Sequence, residues 1–224
     1  MMTFGPAEDA SRLQLERCLE RGGDAARGVL CADHHKGYSM PIGGVLASQS
    51  VVMPAGVGYD IACGNCAVRT DMHATDINVP IVMDDIWKII SFGVGRSNAE
   101  RVDHPVFDAI AATHIPEVRG LIDLARNQLG TVGSGNHYVD LFEDRADGRL
   151  WVGVHFGSRG FGHKVASGFL ARAAGKAWGE RTDDSMDAPP TTIPLGTALA
   201  QDYLASMTLA GEYAYAGRDW VVDR

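Results

Sequence analysis

The chain has 224 residues, of which 46% are hydrophobic and 8% aromatic. This is enough apolar material to bury a core, which excludes a disordered tail and a disulfide-dependent miniprotein. The net charge of −8, from 20 basic and 28 acidic residues, argues against a general nucleic-acid coat protein, because such proteins bind through clustered lysine and arginine. It leaves room for a local phosphate site.

The apolar runs and the cysteine content predict a cytoplasmic protein without a membrane partner. No apolar run approaches the roughly 18 residues that a spanning helix needs, and the N-terminal residues lack the basic and apolar regions of a signal peptide. Four cysteines are too few for a secreted disulfide framework at this length. We therefore expect reduced thiols at Cys18, Cys31, Cys63 and Cys66.

Hydrophobic periodicity predicts both helices and strands along the chain. In order they are a helix at 7–21, strands at 29–31, 42–54 and 66–70, helices at 77–92 and 117–129, strands at 137–142 and 150–155, and helices at 164–178 and 199–220. The strands at 137–142 and 150–155 flank a turn, so we expect them to pair antiparallel. Neither an internal repeat nor an interdomain linker is evident, which predicts one domain over residues 1–224.

Glycine is concentrated where polar residues also gather. Of the 27 glycines, 14 fall in residues 37–64 and 130–162. Clustered glycine is typical of tight turns and of close approach between backbone and ligand. These two windows are therefore the candidate regions for a site.

Side chains with metal-binding chemistry lie at the ends of predicted strands. They are a carboxylate, a thiolate and two imidazoles: Asp60, Cys63, His137 and His155. Asp60 and Cys63 are close enough across a turn to face one ion, and the expected strand pairing brings both imidazoles to one rim. Thiolate and imidazole favour zinc, whereas a carboxylate with open positions and phosphate oxygens suits manganese, so the residues leave the metal open.

The CxxC formed by Cys63 and Cys66 leaves two other interpretations open. It is also typical of a redox pair or of half a structural zinc site. A redox pair is usually followed by a helix, whereas the sequence after Cys66 is predicted to be a strand. Glycine-rich turns and strand-end histidines are also common in purely structural roles, so each motif alone is weak evidence.

The sequence GSRGFG at residues 157–162 predicts an anion site in front of the helix at 164–178. Unpaired backbone N–H groups and the positive end of the helix dipole attract phosphate. Arg159 adds a guanidinium with the geometry for two parallel hydrogen bonds to phosphate. We expect these groups to form a phosphate cradle.

Taken together, the motifs resemble those of the RtcB-type RNA ligases, the manganese- and GTP-dependent family of tRNA-splicing and RNA-repair ligases. The resemblance runs in order along almost the whole chain and is carried by five segments: DHHKGYSMPIGGV (33–45), PAGVGYDIACG (54–64), QLGTVGSGNHYVDLF (128–142), HFGSRGFGHKV (155–165) and YLASMTLAGEYAYAGR (203–218). It implies an α+β fold with mixed β-sheets flanked by helices.

The resemblance also implies residue roles. The positions matching ligands of two Mn²⁺ ions, with the cysteine bridging, are Asp60, Cys63, His137 and His155. The positions matching the guanylate-binding stretch are Asn136, His137, Tyr138 and Asp140. The implied catalytic residues are Asn136 and Arg159. Asp140 departs from the glutamate that is usual in the family, which indicates a divergent branch.

Members of this family join an RNA 3′-phosphate or 2′,3′-cyclic phosphate to a 5′-hydroxyl. They load GMP from GTP onto a histidine, transfer it to the 3′-phosphate, and then let the 5′-hydroxyl displace GMP. That histidine and a further metal-binding histidine lie in a C-terminal half that has no counterpart in residues 1–224. We therefore expect an incomplete site and no self-guanylylation, with a second copy or another chain as the source of the missing half.

Two alternatives remain open at the level of sequence. One is a non-catalytic metal- and phosphate-binding module, or a truncated paralogue, which keeps the fold without the ligase reaction. The other is a metal-dependent phosphoesterase acting on RNA ends, which would hydrolyse a 2′,3′-cyclic phosphate without GTP.

Overall fold

The computed structural model describes residues 1–183 and 185–224 and contains both helices and sheets, which confirms the α+β class. The strands are β1 (Met2–Thr3), β2 (Arg27–His35), β3 (Ile42–Ala47), β4 (Val51–Val52), β5 (Gly64–His73), β6 (Tyr138–Glu143), β7 (Arg149–Phe156) and β8 (Ile193–Pro194). The α-helices are α1 (Asp9–Arg21), α2 (Pro54–Val57), α3 (Val79–Ile89), α4 (Val106–Ala112), α5 (Pro116–Arg119), α6 (Ile122–Gln128), α7 (Arg159–Ala173) and α8 (Ala198–Asp223). Among the described residues, no helix combines the length and apolarity needed to cross a bilayer.

The chain divides into two compact units, each built from two separate stretches of sequence. The first unit comprises residues 1–59 and 164–206, and the second comprises residues 60–163 and 207–224. The expectation of a single domain over residues 1–224 stays a prediction. Every residue assigned to the candidate site by the sequence belongs to the second unit.

The first unit contains a mixed three-stranded sheet in the order β1-β2-β3. Strand β1 is parallel to β2, and β2 is antiparallel to β3. Helix α1 contributes to an apolar cluster made of Leu15, Cys18, Leu30, Met40 and Met53. The helix is amphipathic, since Leu15 is fully buried whereas Leu13 is 48% exposed.

The second unit contains an antiparallel sheet in the order β5-β7-β6, which confirms the predicted pairing of the strands around residues 143–149. Because β7 is central, His155 near its end is flanked on both sides. Its register partners are Asn65 on β5 and Tyr138 on β6. The apolar cluster of this unit consists of Ile90, Val132, Val139, Val154, Phe156 and Val221.

The predicted strand at 42–54 was too long. Strand β3 ends at Ala47, and a turn follows in which the Ser48 hydroxyl accepts the backbone N–H groups of Ser50 and Val51. Pro54 then begins α2, where its fixed φ and missing N–H suit a first helical position.

The predicted helix at 117–129 is two helices, α5 and α6, because Gly120 ends α5 with its N–H bonded to carbonyls of that same helix. Helix α4 was missed by the periodicity analysis. It has only 7 residues, too few for a clear helical repeat, although it buries Val106, Phe107 and Ile110.

The predicted helix at 164–178 was wrong at both ends, since α7 runs from Arg159 to Ala173. Its glycine-rich start looked like a loop because glycine disfavours helix. Side chains from elsewhere in the second unit accept the N–H groups of the first helical residues: Asp60 accepts from Arg159, and Gln128 accepts from Gly160. These bonds stabilise a helix start at Arg159. Gly175, with φ of +72°, lies just beyond the end, where glycine readily adopts the left-handed conformation.

We predict that Leu15→Ala destabilises the first unit by about 2–5 kcal/mol, because it leaves a cavity in a packed cluster. Leu13→Ala on the same helix is the matched control and is expected to change the free energy of unfolding by about 0.5 kcal/mol or less. Urea unfolding followed by circular dichroism measures both. Equal effects for the two variants would show that this face of α1 is not packed as described.

Candidate metal centre

Three donor groups of the second unit converge on one point: the Asp60 carboxylate, the Cys63 sulfur and the His137 imidazole. One ligand atom from each lies within 4.8 Å of the other two. Asp60 and Cys63 belong to a turn closed by a hydrogen bond of 3.0 Å from the Cys63 N–H to the Asp60 carbonyl. This turn leads directly into β5, and His137 immediately precedes β6. The expectation that Asp60 and Cys63 face one point across a turn therefore agrees with the geometry, and their binding of an ion stays a prediction.

Asp60 is fixed by the first turn of α7. The backbone N–H of Arg159 donates to its Oδ1 at 2.9 Å, and that of Gly157 donates to its Oδ2 at 3.2 Å. Burial of the carboxyl opposes ionisation, but the hydrogen bond and charge of His137, the charge of Arg159 and the Arg159 N–H outweigh it and lower the pKa of Asp60. A Cβ on Gly157 would lie 2.7 Å from Asp60 Cγ, so only glycine allows this approach.

The predicted phosphate cradle at 157–162 is wrong in one respect, since the backbone N–H groups of residues 157–160 are not free to bind an anion. All four N–H groups of residues 157–160 donate to acceptors of the protein itself: the Asp60 carboxylate, the Ile61 carbonyl and the Gln128 side chain. The anion at the start of α7 is therefore the Asp60 side chain. The side chain of Arg159 remains a candidate for binding an external phosphate.

His137 is oriented by the backbone of the preceding segment. Its Nδ1 donates to the Val132 carbonyl at 2.7 Å, which turns Nε2 toward Asp60 Oδ2 at 2.9 Å and Cys63 Sγ at 3.5 Å. Hydrogen bonds with Asp60 and Cys63 raise the pKa of His137 to about 9 against the effect of burial. The raised pKa favours the protonated ring at neutral pH, and a metal ion that bound Nε2 would have to displace this proton.

His155 contacts the other side of the Cys63 sulfur. Its Nε2 lies 3.4 Å from Cys63 Sγ, while its Nδ1 is hydrogen-bonded to Asn65 Oδ1 at 2.6 Å. Burial, together with the charges of His137 and Arg218, lowers the pKa of His155 and favours the neutral ring. Its ring is outside the converging group of three, so Cys63 is the residue that contacts both imidazoles.

Asn65 is a functional candidate that the sequence analysis missed. Its Oδ1 accepts hydrogen bonds from His155 Nδ1 and from the Tyr138 hydroxyl at 3.0 Å. The Tyr138 ring stacks on His155 with centroids 5.4 Å apart and an interplanar angle of 14°. Metal-binding histidines are commonly oriented in this way through their second nitrogen. Asn65 could have been identified only from the pairing of β5 with β7, which places it opposite His155 and which the sequence did not predict.

Two further predicted residues, Asn136 and Asp140, lie at different distances from the group formed by Asp60, Cys63 and His137. Asn136 Nδ2 is 3.3 Å from His155 Nε2, so Asn136 is part of the centre. Asp140 is exposed and lies opposite Gly153, on the same face of β6 as Tyr138 but farther along the strand. It is therefore outside the converging group and in a position to contact a ligand that extends along β6.

Two arginines support the centre. The Arg159 guanidinium occupies the space where a Cβ on Gly133 would be, and its Nη1 lies 3.3 Å from His137 Nδ1, a contact between two donors. The Arg159 Nε is buried and has no acceptor among the described residues. Arg218, almost fully buried, donates from Nη1 to the Ala62 carbonyl at 2.9 Å and to the Phe156 carbonyl at 2.7 Å. It ties the turn before β5 to the end of β7.

The donor set fits a transition metal ion. Ligands held at about 2.0–2.3 Å from one tetrahedral ion are themselves about 3.5 Å apart, which matches the Cys63–His137 and Cys63–His155 spacings of 3.5 and 3.4 Å. A thiolate with imidazole suits Zn²⁺, and the carboxylate also suits Mn²⁺, so both metals remain compatible with the residues.

Comparisons with known proteins agree with the resemblance seen in the motifs. A family model described as "tRNA-splicing ligase RtcB" matches residues 23–120 and 117–224. The chain is 31% identical to the tRNA-splicing ligase RtcB of Pyrobaculum aerophilum over 85% of this chain and 49% of that protein. It is 28% identical to the tRNA-splicing ligase RtcB of Aeropyrum pernix over 96% of this chain and 54% of that protein.

A eukaryotic protein is also similar. The chain is 28% identical to RNA-splicing ligase RtcB homolog 1 of Entamoeba dispar over 100% of this chain and 51% of that protein. The chain thus spans about half the length of the curated relatives it matches.

We predict that Cys63→Ala removes most of the bound metal, because Cys63 is the residue shared by both imidazoles. Cys66→Ala is the matched control, since Cys66 lies outside the converging group of described residues, and it should keep its metal. Protein loaded with Mn²⁺ or Zn²⁺ and then desalted is measured by inductively coupled plasma mass spectrometry. Unchanged metal content in Cys63→Ala, or equal loss in both variants, would contradict the assignment.

We further predict that Asn65→Leu weakens metal binding by about 10–100-fold, because His155 loses the acceptor that orients its ring. Asp71→Asn, near the far end of β5, is the control and should bind metal as the parent does. Competition with a chromophoric chelator gives the affinities. Equal affinity for Asn65→Leu and the parent would show that Asn65 does not position His155 for a metal.

Proposed function

The chain belongs to the RtcB family of tRNA-splicing ligases, and we propose that it forms the metal- and guanylate-binding part of an RNA ligase that depends on GTP and Mn²⁺. The proposed reaction joins an RNA 3′-phosphate or 2′,3′-cyclic phosphate to a 5′-hydroxyl. The observation that carries the proposal is the convergence of Asp60, Cys63 and His137, with His155 on the far side of the same sulfur. Because the chain spans about half the length of its relatives, the activity of the whole protein is part of this proposal.

Asp60, Cys63, His137 and His155 are the residues that would hold manganese. Bound Mn²⁺ supplies positive charge that neutralises phosphate oxygens and stabilises phosphoryl transfer. The protein's contribution is orientation. Both imidazoles are fixed through Nδ1, so each presents Nε2 to the shared sulfur without a further change of ring position.

Arg159 is the residue we assign to the reacting phosphate. Its buried Nε has no acceptor among the described residues, and a buried donor without a partner is costly unless a ligand satisfies it. A phosphate oxygen is the acceptor that best suits a guanidinium, because two parallel N–H bonds can form. Its proximity to His137 places this positive charge beside the proposed metal ligands.

The face of β6 that carries Tyr138 and Asp140 is the proposed guanylate site. Tyr138 stacks on His155 and is partly exposed, and Asp140 is exposed on the same side of the strand. A carboxylate accepts the two adjacent N–H groups that guanine presents and adenine lacks. This chemistry supports GTP rather than ATP as the nucleotide.

We predict that the chain binds GMP and GTP in the presence of Mn²⁺ and discriminates against ATP, and that Asp140→Asn weakens guanine nucleotide binding about tenfold or more. Glu143→Gln is the matched control, an acidic residue of β6 on the opposite face of the strand. Isothermal titration calorimetry of metal-loaded protein measures the affinities. Equal binding of ATP and GTP, or equal effects of the two variants, would contradict the guanylate site.

The ligase reaction itself is tested with a 3′-phosphorylated RNA and a 5′-hydroxyl RNA in the presence of Mn²⁺ and either GTP or ATP. The proposal requires that the whole protein joins the two RNAs with Mn²⁺ and GTP and does not join them with Mn²⁺ and ATP. Hydrolysis of a 2′,3′-cyclic phosphate without any nucleotide would instead identify a phosphoesterase.

A further inference from the structure

The second unit contains a stacked pair of aromatic rings, one of which is largely exposed. Trp87, near the end of α3, lies over Phe92 with ring centroids 5.1 Å apart and an angle of 11° between the planes. Trp87 is 70% exposed, so much of its ring is open to solvent. Large aromatic rings with this exposure are costly to leave in water and commonly mark a binding surface.

The stacked pair lines a cavity of about 440 Å³, a size typical of small-ligand sites. Its lining includes three basic side chains, Lys88, Arg96 and Arg224, and one acidic side chain, Glu100. Lys88 is paired with Asp85 and Arg224 with Glu100, at 2.9 and 2.7 Å. Arg96 is exposed and passes over Gly93, so its guanidinium gives the cavity a cationic edge.

This cavity is joined to the candidate metal centre by a short stretch of paired backbone. The Val132 N–H donates to the Ser91 carbonyl at 2.9 Å, and the Gly93 N–H donates to the Gly133 carbonyl at 2.7 Å. Val132 also supplies the carbonyl that orients His137, and Gly133 provides space for the Arg159 guanidinium. The segment that carries Phe92 is therefore hydrogen-bonded directly to the segment that orients the centre.

We propose that Trp87 and Phe92, with Arg96, form a stacking site for a base of single-stranded RNA next to the end that is processed at the metal centre. The proposal rests on the proposed function, because it takes RNA as the substrate. A ring face exposed beside an arginine binds any nucleobase by stacking while the guanidinium binds the adjoining phosphate. Because Lys88 and Arg224 are each paired with a carboxylate, Arg96 is the basic residue of the lining that supplies uncompensated positive charge. In a chain of net charge −8, a positive charge beside an exposed aromatic ring is complementary to the phosphate of a nucleic-acid strand.

The test uses a fluorescently labelled single-stranded oligoribonucleotide and the full chain, with anisotropy as the readout and chelator present so that no metal contributes. Trp87→Leu is expected to weaken binding about tenfold or more, as for loss of one stacked base. Arg96→Gln is expected to weaken binding and to reduce its salt dependence. Ile81→Ala is the matched control, since Ile81 is 59% exposed on the same helix but does not line the cavity, and it should bind as the parent does.

An abasic strand of the same length separates stacking from phosphate binding. We expect the parent to bind it about as weakly as Trp87→Leu binds the normal strand. Equal affinity of the parent and Trp87→Leu for the normal strand overturns the stacking site while leaving the proposed function intact. Absence of RNA binding by every form of the protein, both with chelator and after loading with Mn²⁺, overturns the proposed RNA substrate as well.

A protein-docking role for this surface has a separate signature. If Trp87→Leu and Ile81→Ala both abolish self-association of the chain in analytical ultracentrifugation and neither changes RNA binding, the surface is a protein interface and the stacking site is overturned. Thermal unfolding of each variant verifies that it is folded, which is expected because both substituted side chains are mostly exposed.

Discussion

The Asp60 carboxylate is the group on which the geometry of the centre depends. It joins three segments that are far apart in sequence: the turn before β5, the first turn of α7, and His137 ahead of β6. A carboxylate in a half-buried position is costly unless it is hydrogen-bonded or paired, and Asp60 has both kinds of partner. The same bonds that satisfy its charge therefore place His137 beside Cys63. The hydrogen bonds with Asp60 and Cys63 also raise the pKa of His137 to about 9, so a metal ion that bound Nε2 would have to displace a proton.

Backbone conformation around the centre is unusual in a way that agrees with a functional role. Ala62 and Arg159 have positive φ angles of 56° and 54°, although neither is glycine. Such conformations cost about 1–3 kcal/mol and persist where surrounding contacts enforce them. Arg218 holds the Ala62 carbonyl, and Asp60 accepts from the Arg159 N–H, so each strained residue is restrained by a specific bond.

The sequence predicted which side chains lie close together better than it predicted the residues that orient them, and their role as metal ligands stays a prediction. Asp60, Cys63, His137 and His155 were recognisable because metal-binding chemistry at strand ends is visible in the residue types, and because family motifs surround them. Their supporting partners were not recognisable in the same way. Asn65 acts through the register of β5 with β7, and a register cannot be obtained from one strand alone.

The phosphate cradle shows a different limit. A glycine-rich segment at the start of a helix predicts N–H groups without acceptors, because the local sequence contains no side chain that could accept them. The prediction failed because Asp60 and Gln128, which are distant in sequence, accept those N–H groups first. The start of α7 was placed too late for the same reason. Helix α4 and the break between α5 and α6 were not predicted because these helices are short. A helix of 4–7 residues contains too few turns to give a clear hydrophobic periodicity.

X-ray absorption at the zinc K-edge tests the central claim most directly, with Zn²⁺ as the probe ion. If Cys63 shares the ion with the imidazoles and Asp60, the spectrum of the loaded protein contains a sulfur scatterer at about 2.3 Å together with nitrogen or oxygen at about 2.0–2.2 Å, with the multiple scattering typical of histidine. A first shell of oxygen alone, without sulfur or imidazole, would contradict the account.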